Sequence, residues 1–238
     1  MTIEPRLDII GAALADASRS RILCEMMDGR AFTNKELACA AEISAQTASV
    51  HLKQLQAAGL TSSIRSGRCI YHRIANENVA EVLEALAGLS PTDHLHRATS
   101  RKLPDANTMR ARSCYNHIAG RLGVLITNRL ITLDVLGMKG ETVAIGTASE
   151  VFFNKLEIDV QSLKPSSKPI VKLCLDWTER RHHISGPLAT ALMDKALQKN
   201  WLERRTGSRA LVITSLGYEV LERDFGLERD LIEDTDYA

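Results

Sequence analysis

The apolar residues of the first ninety positions recur three to four places apart in short segments, a spacing that predicts amphipathic helices. The first predicted helix carries Leu7, Ile10, Leu14 and Ala15 on one face. Three further helices follow, and each begins at a hydroxyl residue that can cap its first turn; these residues are Ser18, Thr33 and Ser44. The N-terminal part of the chain is therefore expected to be a small helical domain.

After the fourth helix the pattern changes to that of a β-hairpin. Two strand-like segments, residues 60–65 and 69–74, flank the dipeptide Ser66-Gly67, which suits a tight turn. A further helix is predicted over residues 78–89, with its aliphatic side chains on one side. Two helices joined by a short turn and followed by a small hairpin have the order of a winged helix-turn-helix, which we predict for residues 1–90.

The remainder of the chain is predicted to hold a linker, a second domain and a tail. Residues 91–107 are polar and basic, residues 108–227 regain an apolar periodicity, and residues 228–238 are acidic. The end of the second domain repeats the order of helix, strand, turn, strand and helix, so this domain is expected to contain winged-helix-like halves. The predicted fold class is mainly α with small β-hairpin wings (α+β).

Composition and charge favour a protein of the cytoplasm. The sequence has no secretory signal and no apolar run long enough for a membrane span. The cysteines are odd in number and form no CxxC pair, which indicates a reducing compartment. The net charge is only +1, but residues 44–74 contain Lys53 and three arginines and neither aspartate nor glutamate. A locally basic segment in a nearly neutral chain is typical of a specific DNA-binding surface.

Three ordered segments resemble the ArsR/SmtB family of bacterial winged-helix regulators. They are ALADASRSRIL at 13–23, ISAQTASVHLKQLQAAGL at 43–60 and RSGRCIYHRI at 65–74. The chain is similar to a longer subgroup that carries an extra C-terminal domain. The resemblance implies a homodimeric transcriptional regulator, usually a repressor, that binds a double-stranded DNA operator. Residues 7–15 and 78–89 form the expected dimer seam.

The recognition helix of such a domain enters the major groove with its N-terminal residues. We therefore predict DNA contacts from this helix and from the tip of the wing, at Ser44, Gln46, Thr47, Ser49, Val50, His51, Lys53, Arg65, Ser66 and Arg68. Ala45 and Val50 replace residues that are frequently Gln and His in the family. This departure predicts an altered operator sequence rather than a loss of DNA binding.

The two metal sites used by many relatives cannot be carried over to this chain. Residues 33–37 contain no thiol at the positions of the first site. Asn76 and Asn78 occupy the ligand positions at the start of the second site, and the helix that follows reaches Leu89 without a histidine. The cofactor is therefore unknown, and any effector is expected to bind in the second domain.

Two segments of the second domain, residues 112–124 and 174–188, concentrate the residues with ligand-binding chemistry. The candidate effector or metal residues are Cys114, His117, Cys174, Asp176, Trp177, Arg180, His182 and His183. Three interpretations stay open. The eight residues form a pocket for a small anionic or aromatic effector, or they bind a transition metal or haem, or they have a structural role. Cys114 and His117 would share a face if they lay on a helix.

The sequence favours a regulator over an enzyme. It contains no Gly-rich phosphate loop, no G-x-S-x-G and no H-E-x-x-H. An enzyme fused to a DNA-binding domain, with Cys174 as nucleophile and His182 as base, is the alternative from a different class. The preferred hypothesis is a repressor whose operator binding is modulated by an effector bound in the C-terminal domain.

Overall fold

The computed structural model describes residues 5–89, 105–163, 169–205 and 208–234. The chain divides into two compact units, Met1–Val82 and Leu83–Ala238. This division falls inside a helix, whereas the sequence analysis placed the domain limit at residue 90. Most of the predicted linker lies outside the described residues. None of the helices that the structure describes combines the length and the apolar character needed to cross a membrane.

The first unit holds short helices and a three-stranded antiparallel sheet. The helices are α1 (Leu7–Leu14), α2 (Ala17–Met26), α3 (Asn34–Ala40), α4 (Ala45–Ala57) and the start of α5 (Glu77–Leu89). The strands are β1 (Phe32–Thr33), β2 (Thr61–Ser66) and β3 (Cys69–Ile74), in the order β1-β3-β2. Ile22, Leu37, Leu52 and Leu55 are fully buried and form the centre of the core. The predicted winged helix-turn-helix is confirmed.

Side-chain caps explain where these helices begin. Thr33 caps α3 as predicted, in a capping box in which Thr33 and Glu36 each bond the other's backbone N–H. Ser44 caps α4 as predicted, by accepting from the N–H of Thr47 at 3.0 Å. The cap of α2 is Asp16 and not Ser18, because the Asp16 carboxylate accepts from the N–H groups of both Ser18 and Arg19.

The second unit repeats one order of elements: hairpin, helix, hairpin, helix. After α6 (Ala106–Arg110), the first half comprises β4 (Arg112–Cys114), β5 (His117–Ala119), α7 (Gly120–Thr132), β6 (Leu136–Lys139), β7 (Thr142–Ile145) and α8 (Ser149–Lys155). The second half comprises β8 (Lys172–Leu175), β9 (His182–Ser185), α9 (Pro187–Gln198), β10 (Leu202–Arg204), β11 (Leu211–Ile213) and α10 (Ser215–Phe225), and α11 (Arg229–Glu233) follows. The predicted fold class is confirmed, including the winged-helix-like halves.

The two halves share a single hydrophobic core. Leu122, Leu130 and Phe153 of the first half belong to one buried cluster with Leu188 and Leu192 of the second. The acidic C-terminal segment takes part in this core through Ile232 on α11, which is completely buried.

A glycine joins hairpin to helix in each half. Gly120 and Gly186 have φ angles of 75° and 85°, a backbone conformation that favours glycine. A Cβ at Gly120 would in addition lie 2.6 Å from the carbonyl oxygen of Met109. These glycines let the backbone of each half turn sharply from its hairpin into the helix that follows.

Candidate functional site

The first candidate surface consists of α4 and the β2–β3 wing. Nine of the ten predicted DNA-contact residues are exposed there: Ser44, Gln46, Thr47, Ser49, Val50, Lys53, Arg65, Ser66 and Arg68. The wing tip is the two-residue loop Gly67-Arg68, because Ser66 pairs directly with Cys69. Gly67 has a φ angle of 59°, which such a tight loop requires. The contact roles of these residues stay a prediction.

His51 is the exception, because its side chain is only 14% exposed. Its Nε2 atom lies 3.8 Å from Asp16, and its Nδ1 atom lies 3.4 Å from Nη1 of Arg19. Arg19 also donates to the carbonyl oxygen of Ala13 at 2.7 Å and to Gln54 at 2.8 Å. His51 and Arg19 thus connect α1, α2 and α4, and this contact holds the recognition helix in place.

The second candidate site lies in the interior of the second unit. One potential ligand atom from each of Cys114, His117, Cys174 and His183 lies within 4.8 Å of the others. Cys174 is half-buried, and the other three side chains are buried. The two imidazoles face each other, with their Nε2 atoms 3.1 Å apart. The structure therefore brings together four of the eight residues that the sequence analysis named.

Cys114 and His117 lie on a hairpin and not on a helix, so the condition for a shared helical face is not met. They are directly opposite each other on β4 and β5, and Tyr115 and Asn116 form the two-residue turn between them. Tyr115 adopts a φ angle of 57°, which a helix does not allow. Cys174 and His183 are paired in the same manner on β8 and β9.

A buried ion pair supports the cluster from one side. Nη2 of Arg112 lies 2.8 Å from both oxygens of Asp176, and both side chains are almost inaccessible to solvent. Asp176 also accepts from the N–H of Gly120 at 2.7 Å and from the N–H of Thr178 at 2.9 Å. Burial opposes ionisation of Asp176, but Arg112 and His183 outweigh it and hold the pKa of Asp176 well below its usual range.

The two thiols have different environments. Hydrogen bonding with Cys114 holds the pKa of Cys174 well below its usual range, and hydrogen bonds with His117 and His183 also lower this pKa, although burial opposes them. Burial raises the pKa of Cys114, and its interactions with Cys174 and Glu84 add to this effect. The surroundings of Cys174 favour its ionisation more than those of Cys114 do, and ionised cysteines are ligands for soft metal ions.

The other predicted residues of this group lie beside the cluster and have other contacts. Trp177 stacks on Arg112, whose guanidinium carbon is 4.8 Å from the ring centroid. Arg180 donates to the carbonyl oxygen of Gly88. His182 is exposed and pairs across the hairpin with Leu175, one position away from the Cys174–His183 pair. Asp176 is paired with Arg112, which agrees with a structural role for that carboxylate.

Three residues near the cluster were missed by the sequence analysis. Arg112 is the first residue of the segment 112–124 but carries no motif of its own. Thr127 on α7 accepts from the N–H of Ile184 at 2.9 Å, next to the ligand-bearing position 183. Glu84 on α5 is buried and lies 3.8 Å from Arg209. These roles depend on contacts between distant parts of the chain, for which local spacing carries no signal.

Comparisons with known proteins agree with the winged helix-turn-helix of the first unit, and one relative is similar over nearly the whole chain. The family described as "Bacterial regulatory protein, arsR family" matches residues 16–63. The chain is 34% identical over 230 residues to the "Uncharacterized HTH-type transcriptional regulator YdfF" of Bacillus subtilis (strain 168), covering 95% of this chain and 100% of that protein. The chain therefore belongs to the ArsR family of winged helix-turn-helix, DNA-binding transcriptional regulators.

Solved structures match part of the chain. One is the homodimeric DNA-binding domain of Mb0332 from Mycobacterium bovis, with 30% identity, 43% of this chain and 100% of that chain covered, and a TM-score of 0.33. Another is the cadmium sensor CMTR from Mycobacterium tuberculosis, with 29% identity, 36% and 84% covered, and a TM-score of 0.30.

Proposed function

We propose that this regulator is a homodimeric repressor that binds its operator through α4 and the β2–β3 wing. The observation that carries the proposal is the exposed surface of these elements, in a segment that has four basic residues and no acidic residue from Ser44 to Ile74. Short polar side chains at the start of α4 suit base edges in the major groove. Lys53, Arg65 and Arg68 suit the phosphate backbone.

We further propose that an effector bound in the second unit changes operator affinity. This part is supported by the buried cluster of Cys114, His117, Cys174 and His183, because such side chains are rarely gathered in a core without a ligand or a hydrogen-bond network to satisfy them. A pocket for an anionic or aromatic molecule has less support. The ring of Trp177 is stacked on Arg112, and the charge of Arg112 is neutralised by Asp176.

The homodimer is proposed from exposed apolar side chains on α1 and α5. Leu7 and Ile9 are exposed on α1, and Val82, Leu86 and Leu89 are exposed on one face of α5. Exposed aliphatic residues that share a helix face mark an interaction surface. A two-fold dimer matches an operator with two half-sites. The proposal places the protein in the cytoplasm with its DNA and assigns it no reaction.

The first prediction tests DNA binding with the double substitution Arg65→Ala/Arg68→Ala. Binding to a DNA fragment carrying the promoter of its own gene is measured by fluorescence anisotropy at several salt concentrations. Because each lost phosphate contact removes about one unit from the slope of log affinity against log salt, the double variant is expected to bind more weakly, with a slope lower by about two.

The matched control is Lys139→Ala/Lys155→Ala, which removes the same charge from exposed positions of the second unit. It is expected to leave both affinity and slope unchanged. Equal effects of the two double variants, or no DNA binding by the unaltered chain, would contradict the assigned surface. Repression is tested by transcription in vitro from the same promoter, which the protein is expected to reduce.

A further inference from the structure

The ligand cluster of the second unit is built from two equivalent hairpins. In each half a cysteine at or next to the end of the first strand pairs directly with a histidine on the second strand, and a glycine of positive φ follows the histidine three positions later. Cys114, His117 and Gly120 thus correspond to Cys174, His183 and Gly186. The two halves bring these equivalent pairs together, so that each half supplies one thiol and one imidazole.

The spacing of these atoms is close to that of a metal centre. At the bond lengths typical of zinc, the ligand atoms of a tetrahedral site lie roughly 3.3–3.8 Å apart. The two Nε2 atoms are 3.1 Å apart, and no two of the four potential ligand atoms are more than 4.8 Å apart. Small side-chain movements would therefore suffice to place all four atoms around one ion.

The surroundings of both imidazoles orient them for this role. Nδ1 of His183 is buried without a hydrogen-bond partner and lies 3.6 Å from Asp176. Nδ1 of His117 lies 3.4 Å from the side-chain oxygen of Asn116. An imidazole that binds a metal through Nε2 carries its proton on Nδ1 and donates it to such an oxygen. A metal at Nε2 would give the unpaired Nδ1 of His183 a proton to donate to Asp176.

We infer that Cys114, His117, Cys174 and His183 bind one transition-metal ion that accepts tetrahedral sulfur and nitrogen ligands, of which Zn²⁺ is the representative. Two thiolates and two imidazoles favour such ions over Mg²⁺, Ca²⁺ or Mn²⁺, which prefer oxygen. Four ligands that converge from two hairpins surround a single ion, whereas haem needs a flat slot beside its ligands. The inference rests on the proposed function only in naming this ion as the effector.

The second prediction is that the full-length chain binds one metal ion per molecule at this site. The protein is purified under reducing conditions, stripped with a chelator and titrated with Co²⁺. A tetrahedral site with thiolate ligands is expected to give intense visible bands and a near-ultraviolet thiolate-to-cobalt band, and one equivalent of Zn²⁺ is expected to abolish both. Cys174→Ser is expected to weaken Co²⁺ binding and to reduce the thiolate-to-cobalt band, and His183→Gln is expected to weaken binding and to shift the visible bands.

The matched controls are His182→Gln, the exposed neighbour on the same strand, and Cys39→Ser, an exposed thiol of the first unit. Both are expected to bind Co²⁺ as the unaltered chain does. Circular dichroism shows whether each ligand variant folds; if one does not, His117→Gln replaces it. The inference is wrong if the stripped chain gives no such bands, if the folded ligand variants bind Co²⁺ as tightly and with the same bands as the unaltered chain, or if a haem spectrum appears instead.

DNA binding separates this inference from the proposed function. Operator affinity is measured with the stripped protein and again after one equivalent of Zn²⁺. A changed affinity that the His183→Gln variant does not show would support the ion as effector. Stoichiometric binding with unchanged affinity would leave the metal site established and contradict the effector role.

Discussion

At the scale of single residues, the buried pair of Arg112 and Asp176 is the most demanding feature of the second unit. Its charges are tolerable in the interior because Asp176 accepts several hydrogen bonds and Arg112 donates to it and to Thr178. Removal of one partner leaves the other charge buried and unpaired, which costs far more than the loss of an exposed pair. The pair also fixes Asp176 beside His183, so stability and ligand geometry depend on the same carboxylate.

The third prediction follows from this pair. Asp176→Ala is expected to lower the free energy of unfolding by about 3–5 kcal/mol, because the Arg112 charge stays buried. Urea unfolding is followed by tryptophan fluorescence in the presence of a chelator, so that metal binding does not contribute. Lys199→Ala breaks an ion pair with Glu157 that is largely exposed and is expected to cost less than about 1 kcal/mol. Equal costs for the two variants would contradict the structural role of the buried pair.

At the scale of elements, the sequence predicted where helices and hairpins lie better than it predicted which of them carries the candidate ligands. Caps and apolar spacing located α2 to α5 and the wing, because these signals are local. The spacing of Cys114 and His117 was ambiguous, because two residues three positions apart can share a helical face or lie opposite each other across a two-residue hairpin turn. Only the positive φ of Tyr115 and the pairing of β4 with β5 decide between them, and neither is visible in a spacing pattern.

The packing of α7 onto its own hairpin gives the fourth prediction. A Cβ at Gly123 would lie 2.4 Å from the carbonyl oxygen of Ile118, so Gly123→Ala must push α7 away from β5. We expect a loss of about 1–3 kcal/mol in the free energy of unfolding, as for other overpacked sites. Gly137→Ala on β6 is the control, because its Cβ would meet no atom within 4 Å; a similar loss there would show that close packing at Gly123 is not the cause.

At the scale of the whole molecule, the candidate metal site depends on the pairing of two halves that are far apart in the sequence. Local reasoning found its four ligands but gave no means to bring residues 114 and 174 together. The shared spacing of histidine and glycine, His117 with Gly120 and His183 with Gly186, is the signal that aligns the halves. It is obscured because eight residues separate Cys174 from His183, whereas only two separate Cys114 from His117. Asp176 organises that longer turn by accepting from the N–H groups of Thr178 and Glu179.

The proposed homodimer gives the fifth prediction. Val82 and Leu89 are seven positions apart on α5 and are 53% and 79% exposed, so glutamates there would place charges in an apolar seam. Val82→Glu/Leu89→Glu is expected to convert the dimer to monomers in sedimentation experiments. Because a monomer binds only one half-site, operator affinity is expected to fall on the order of 100-fold or more. Leu216→Glu alters an equally apolar residue that is 45% exposed on α10 and should change neither property, whereas a double variant that stays dimeric would exclude α5 from the seam.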